Sequence, residues 1–312
     1  MAEKIVYNGS MLWDEILKAI VDVMPEQLFP LFKEVYGKDY PKGTPITLLA
    51  TESSTYLEDP DAPPSSRLSD IALLVNGTDY YHLECQMLNE QEMVIRMIAY
   101  DLHFSIKYTA QKDEKTGGFV MRFPRSAVIY PAKNKCIPEF LKCRIIFQDN
   151  SEHIYQIPTV RIQSYSLREI QEKHLTLFVP YLLLKFRPRL NPRKKSFLTK
   201  KELTDYISEV ILMLKEEQNH GYLTDRECND YINLFRRASE RIFVKHPGFR
   251  KEVDRMTKPL IELPSVIQKR LEDENKALLA DLADKNALLA DKNAELARMR
   301  KLLEQHHIPV TL

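Results

Sequence analysis

SDIALLVNGTDYYHLECQM, residues 69–87, is the stretch on which the fold turns. Two strand-like runs, 69–75 and 80–87, flank Asn76-Gly77, the strongest short-range signal for a β-hairpin. Alternation along the second run puts Glu84 and Gln86 on one face and Leu83 and Cys85 on the other. Asp70 opens the first run. A strict two-residue turn at Asn76-Gly77 pairs Asp70 with Leu83. A three-residue loop over 76–78 with a glycine bulge pairs it with Glu84 instead, and a twist or bulge in either strand does the same. Cys85, inside the apolar pattern, reads as a small buried hydrophobe.

Working outward, residues 11–35 carry apolar side chains at helical spacing, with Leu12, Ile16, Ile20 and Val23 forming one stripe. Pro25 breaks that helix and opens a second one over 26–36. Residues 46–50 form a further strand, and the Pro-, Asp- and Ser-rich segment 58–66 an exposed loop. Beyond the hairpin, 91–107 is a helix with Met93, Met97, Tyr100 and Phe104 on one face. Strands follow at 119–130, 144–147 and 154–162, the last two joined through Asp149-Asn150. Helices, a strand, a hairpin, a helix and more strands make a mixed α/β domain with some antiparallel pairing.

From residue 166 the pattern turns helical. Residues 167–186 pack many aliphatics, and 187–195 (RPRLNPRKK) form a basic, proline-bearing linker. Thr199 caps a helix through 218, Thr224 or Asp225 caps another through 245, and His246-Pro247-Gly248 ends it. Residues 266–305 contain neither Pro nor Gly. Asn286, Leu289, Asn293, Leu296 and Leu303 fit heptad a and d positions there, with an eleven-residue stutter between Asn275 and Asn286. Asn at a positions favours parallel pairing in a defined register. The organisation expected is an α/β domain over 1–190, a helical region over 196–264 and a coiled coil over 265–305 that makes a homodimer.

The 45 Lys and Arg against 44 Asp and Glu leave a net charge of +1, so any nucleic-acid partner must be held by local clusters of Lys and Arg. The run 187–195 with Lys200 and Lys201 is such a cluster, although a solvated linker explains it as well. Four cysteines without a CxxC pair imply neither a disulfide framework nor a zinc ribbon. The first ten residues hold no apolar signal core, and the most apolar stretch, 175–186, is too short to span a bilayer and carries Pro180. A cytoplasmic protein with no membrane partner is expected.

Two carboxylates converging at one sheet edge are what a hard divalent cation requires, because Mg²⁺ takes oxygen ligands and retains several waters. Such a cation polarises a phosphoryl oxygen and acidifies a bound water, and a third polar group beside it orients that water. Glu52, after the first strand, and Glu15, on the first helix, are further acids within possible reach, Glu15 being better explained as a solvated helix position. His306-His307 near the terminus is not a metal site by itself. The chain carries no phosphate-binding glycine loop, nucleophile elbow or HExxH.

RLSDIALLVNGTDYYHLECQ followed by EMVIRMIAYDLHF resembles the core motif of the PD-(D/E)XK nuclease family transposases, the recombination-promoting nuclease group. The close match covers 46–108, and the likeness in element order extends to about 186. The resemblance implies a restriction-endonuclease-like α/β core and a metal-dependent DNA endonuclease linked to recombination or transposition. Asp70 and Glu84 would be the metal ligands, with Glu52 as a third, and Mg²⁺ or Mn²⁺ the ion. Asp70, Glu84 and Gln86 form the implied catalytic set. Gln86 stands where most of the superfamily carries lysine, as it does in the nearer group, so positive charge must come from elsewhere, and Arg96 and Lys107 are the candidates for DNA contact. Arg96 and Tyr100 match the Arg and Tyr, four residues apart, that the group shows on the following helix, although Arg96 could equally pair with Glu92 and Tyr100 is better explained by packing. The competing expectation is a catalytically inactive nuclease-fold scaffold that binds DNA or protein.

Overall fold

The computed structural model describes residues 11–50, 71–90, 92–133, 136–193 and 195–260, and helical positions between 275 and 298. The chain divides into two compact units, Met1–Leu260 and Ile261–Leu312.

In the first unit, α1 (Met11–Val23) buries Trp13, Ile16, Leu17, Ile20 and Val21 along one stripe. Pro25 does not open an α-helix directly. It opens a 3-10 turn, Pro25–Leu28, and α2 (Phe29–Tyr36) follows with Pro30 in its first turn, where the missing N–H costs nothing. Gly37, at φ 64°, closes α2 in the left-handed conformation that a side chain would resist. Strand β1 (Ile46–Leu48) then leads to the hairpin of β2 (Ile71–Val75) and β3 (Asp79–Cys85). The hairpin pairs Val75 with Asp79 and Ile71 with Leu83, so the three-residue loop is the one realised. Asn76 and Gly77 both hold positive φ, 53° and 69°, which Asn tolerates and Gly adopts freely.

Helix α3 (Met93–Tyr108) turns Met93, Met97 and Phe104 inward. The strand expected over 119–130 is two pieces. A small ribbon joins β4 (Gln111–Lys112) to β5 (Phe119–Val120), and β6 (Arg125–Tyr130) begins only after Pro124, which has no N–H to give a ladder. Strands β7 (Phe140–Ile146) and β8 (Glu152–Arg161) are both longer than their apolar cores, because alternating exposed residues extend the pairing. The main sheet has six strands in the order β1-β2-β3-β6-β8-β7, parallel at β3-β6 and β6-β8 and antiparallel elsewhere.

Helices flank this mixed sheet. Tyr81, Leu83 and Cys85 face the α1–α2 side, where Phe32 stacks on Tyr81 at 3.9 Å. Met93 and Met97 of α3 pack with Val128, Tyr130, Tyr155 and Ile157 on the other side. After α4 (Leu167–Glu172), the aliphatic stretch expected to be helical folds as a long 3-10 helix, Thr176–Arg189. Pro180 and Pro188 lie inside it, and each removes a donor that an α-helical ladder needs. It is almost wholly buried from Thr176 to Leu184, with the Tyr181 hydroxyl donating to the Trp13 carbonyl at 3.0 Å.

Thr199 and Thr224 cap α5 (Lys200–Asn219) and α6 (Asp225–Ile242), each in a reciprocal capping box with the Glu three residues on. Pro247 begins rather than ends a helix: α6 stops at Ile242, and α7 (Pro247–Thr257) has Pro247 in its first turn. Glu227 also accepts from Gln27 Nε2 at 3.0 Å, tying the α6 cap to the first 3-10 turn. Thr224→Ala is therefore expected to lower unfolding free energy by about 1 kcal/mol, measured by urea denaturation.

In the second unit the described positions between 275 and 298 are helical, and Leu278, Leu279, Leu282 and Leu289 are exposed. Leu296 and Leu303 lie outside the residues whose side chains are described. Among the described residues, no helix is long and apolar enough to cross a membrane. All four cysteines are free thiols.

Candidate functional site

The carboxyl ends of β3 and β6 lie side by side in the middle of the sheet, with Glu84 opposite Val128. In open α/β sheets this is where ligands bind. Glu84 is only 2% exposed, and a carboxylate that deep needs a partner of opposite charge. Strand alternation supplies one two residues away. His82, 1% exposed on the same face, directs Nε2 to Glu84 Oε1 at 3.3 Å and Nδ1 to Asp101 Oδ1 at 2.7 Å.

Asp101 comes from α3 and is itself 1% exposed. Its carboxylate also accepts from Ser126 Oγ, at 2.7 and 2.8 Å to the two oxygens, and from the Tyr155 hydroxyl at 2.5 Å. A neutral imidazole would turn a lone pair towards one of the two carboxylates, so the doubly protonated form is the one that fits. Burial opposes that charge, but Asp101 and Glu84 outweigh it and push the His82 pKa up to about 9. The result is a buried chain of alternating charge, Glu84–His82–Asp101, running along one face of the sheet.

A second carboxylate approaches from the opposite layer. Asp14 on α1 has its pKa raised to about 6, first by burial and then by the charges of Glu84 and Glu15. A hydrogen bond from the Cys85 thiol and the charge of Lys18 offset this only in part. Asp14 Oδ1 is buried with no hydrogen-bond partner. Beyond Glu84 on the α3 side, the buried Tyr130 hydroxyl is likewise without a partner, and its pKa is pushed up to about 12 by burial and by Glu90.

Of the residues singled out from the sequence, Glu84 takes the central place. Gln86 continues the ladder beyond β3, its N–H donating to the Ile129 carbonyl at 2.8 Å, and its side chain is half-buried. Arg96 pairs with Glu90 at 2.7 Å rather than with Glu92, and its guanidinium lies 5.9 Å from the Tyr100 ring centre. Burial works against the Arg96 charge, but Tyr100, Glu84 and Glu90 together raise its pKa, so Arg96 lies in the field of Glu84. Lys107 is turned elsewhere, donating to the Ala50 carbonyl at 3.2 Å. Tyr100 packs against the α3-side core and 6.0 Å from the His82 ring. Glu15 is exposed, and its neighbour Asp14 is the α1 acid that turns inward. Asp70 and Glu52 lie outside the described residues.

Sequence reasoning passed over Asp14, His82 and Asp101. The alternation that placed Glu84 and Gln86 on one face places His82 there too. Asp101 gives no local signal, since its partners are 19, 25 and 54 residues away.

Among the described residues, no group of three or more His, Cys, Asp or Glu side chains is arranged to hold a metal ion. Glu84 and Asp14 nonetheless offer two oxygen donors of the hard type, and the buried, partnerless Oδ1 of Asp14 is an atom that a cation would satisfy. The donor chemistry thus fits Mg²⁺ or Mn²⁺. Comparison with protein-family models, curated proteins and solved structures finds no match for this chain.

Proposed function

We propose that this chain is a divalent-metal-dependent DNA endonuclease with its reaction centre at the carboxyl ends of β3 and β6. The observation that carries the reading is a second carboxylate, Asp14, that lies in the field of Glu84, is raised to about 6 chiefly by burial, and has a buried oxygen without a partner. The hairpin register adds support, because it is the register that the sequence argument required for a carboxylate at position 70 to meet Glu84. Resemblance to the recombination-promoting nucleases supplies the substrate class and the link to recombination or transposition.

In this reading Glu84, Asp14 and Asp70 hold the cation, with Glu52 as a further donor. When bound, Mg²⁺ or Mn²⁺ neutralises charge on the phosphate and acidifies a water. The chain's own residues do the rest. His82, gripped by Asp101, fixes the rotamer of Glu84. Gln86 offers neutral donors and acceptors where a lysine would offer charge. Arg96 supplies positive potential near Glu84, and Lys107 is less suited because its ammonium already serves Ala50. A homodimer formed through residues 265–305 would present two such centres to a duplex, and the exposed leucines of that helix support pairing with a second copy.

A second reading is favoured by one observation. The charge of Glu84 is already balanced by His82 within the protein, as it would be in an inactive scaffold that keeps the nuclease fold to bind DNA or protein. Supercoiled plasmid with the full chain separates the two. The expected result is nicking or linearisation with Mg²⁺ or Mn²⁺, abolished by EDTA and by either Glu84→Gln or Asp70→Ala. A folded wild type that cuts with neither ion supports the scaffold, and cutting that survives both substitutions places the activity elsewhere.

A further inference from the structure

The chain is nearly neutral overall, yet the helical part of the first unit gathers two stretches in which cations are not balanced by acids. Residues 187–201 contain seven Lys and Arg and no Asp or Glu. Residues 241–251 contain four more, together with His246, and again no acid. Residues 202–240 separate the two in the chain, and the fold brings them together. Leu198, fully buried, donates its N–H to the Arg189 carbonyl at 3.0 Å, and Arg189 Nε donates back to the Ser196 carbonyl at 2.9 Å. This curls the first stretch so that Phe197 packs 5.8 Å from Phe249 and 6.3 Å from His246. Lys200 lies across the start of α7, its Cε 3.8 Å from where a Cβ on Gly248 would stand.

Between the two stretches is a groove of about 470 Å³, within the range of small-ligand pockets. Phe197, His246 and Phe249 supply rings, and Lys200 and Lys245 supply charge. Phe197 and His246 are half-buried, and both lysines are exposed. Arg187, Arg193, Lys195, Lys200, Lys201 and Lys245 form no ion pair among the described residues. The nearby acids are already engaged: Glu202 with Arg189, Glu240 with Arg236 and Arg250, and Glu252 with Arg255. Lys200 does lie in the field of Glu252, which it helps to hold below the usual carboxylate range. At the N-terminus of α5 the capping box takes up the Thr199 and Glu202 N–H groups, and the Lys200 side chain adds the charge that faces the groove.

A flexible polyanion with flat apolar groups matches this pairing of open rings with unbalanced cations. We infer that the groove between residues 197–200 and 245–249 binds single-stranded nucleic acid, with a base against Phe197 and His246 and the flanking phosphates on Lys200 and Lys245. Stacking on an aromatic face tolerates any base, while the lysines track the backbone. Duplex DNA keeps its bases stacked on one another and would gain from the charges alone. The groove contains none of the Glu84 chemistry, so its binding is independent of whether that centre cleaves.

The test is fluorescence anisotropy of the full chain in EDTA, using a labelled mixed-sequence strand of about 12 nucleotides and the matching duplex. Reversing two charges with Lys200→Glu/Lys245→Glu is expected to weaken single-strand binding about tenfold or more at low salt and to reduce the salt slope by about 1.4, two phosphates at roughly 0.7 each. Phe197→Leu, which keeps the packing, is expected to weaken the single strand about fivefold or more and leave the duplex unchanged. Should charge reversal unfold the chain, Lys200→Gln/Lys245→Gln replaces it, with the melting temperature as the check. Every arm is read in EDTA, where the proposed metal-dependent cleavage does not proceed, which separates failure here from failure of the cleavage reading. Single-strand affinity untouched by the lysine changes, equal losses for strand and duplex on Phe197→Leu, or binding to phosphatidylserine vesicles without binding to the oligonucleotide would each overturn the assignment.

Discussion

Asp101→Ala is expected to destabilise the protein by about 3–5 kcal/mol, the loss typical of removing one partner from a buried, hydrogen-bonded charge pair. The substitution leaves the His82 ring facing Glu84 alone and strips both the Ser126 and the Tyr155 hydroxyls of their acceptor. All of these groups are buried, so water does not replace what is lost. Asp101→Asn separates charge from hydrogen bonding. It keeps an acceptor for Ser126 or Tyr155 and removes the charge that, with Glu84, holds the His82 pKa near 9. The sign follows from that elevation. Stability from His82 is fully present below the unfolded histidine value of about 6.5 and is lost as pH rises through about 9. Urea denaturation from pH 6 to 10 should therefore show wild type losing stability across this window and Asp101→Asn losing less. A wild-type curve that is flat there would mean His82 is neutral, and the alternating chain of charge would be abandoned.

The hairpin was legible because one dipeptide and one period determine it. Asn76-Gly77 sets the turn, and alternation sets which residues of β3 share a face. The sequence leaves two registers open, and the pairing of Val75 with Asp79 distinguishes them, since positive φ at Asn76 and Gly77 suits a two-residue turn as well. Proline was less legible because the same residue both closes and opens helices. Pro247 follows His246 and precedes Gly248, a run that reads as a stop, yet its fixed φ suits the first turn of α7. In the sequence Pro180 argues against a membrane span; in the fold it lies inside a stretch that forms a 3-10 helix.

The candidate site divides along the same line. Local alternation delivered Glu84. The choice between Asp14 and Glu15 is a rotation of about 100° around α1, which the spacing of its buried residues could have decided: Trp13, Ile16, Leu17 and Ile20 place position 14 beside the buried face and position 15 away from it. The partnership of His82 with Asp101 joins β3 to α3, and of Asp101 with Tyr155 joins α3 to β8. Neither has a periodicity to betray it, since each depends on how separate elements pack. The same holds for the groove on α5 and α7, where only folding shows that two acid-free stretches share one surface.

Asp14→Asn is expected to move stability and activity in opposite directions. The Asp14 pKa stands at about 6 against an ordinary 3.8, chiefly through burial and then through the negative charge of Glu84. For a carboxylate raised in this way the folded state resists ionisation. The destabilisation is absent below the unfolded value, grows between about pH 4 and 6, and is complete above the folded value. Asparagine carries no charge at any pH, so the variant should exceed wild type by about 1–2 kcal/mol above pH 6, after allowing for partial exposure, and match it below pH 4. A protein that keeps a carboxylate at such a cost, with one oxygen buried and partnerless, keeps it for a reason outside folding. If that reason is a divalent cation, Mn²⁺ or Mg²⁺ at pH 7.5 should stabilise wild type by mass action, by about 2.7 kcal/mol at a hundredfold excess over Kd. The same addition should leave Asp14→Asn nearly unmoved, and plasmid cleavage should fall about a hundredfold or more in the variant. Calorimetry across pH, with and without metal, reads the stability terms together. An asparagine variant less stable than wild type at pH 7.5 would show that the ionised carboxylate is satisfied within the fold. A variant that gains stability yet keeps the full metal response would leave Asp14 as a buried acid apart from the metal, with Glu84 and the chain preceding Ile71 to hold the ion.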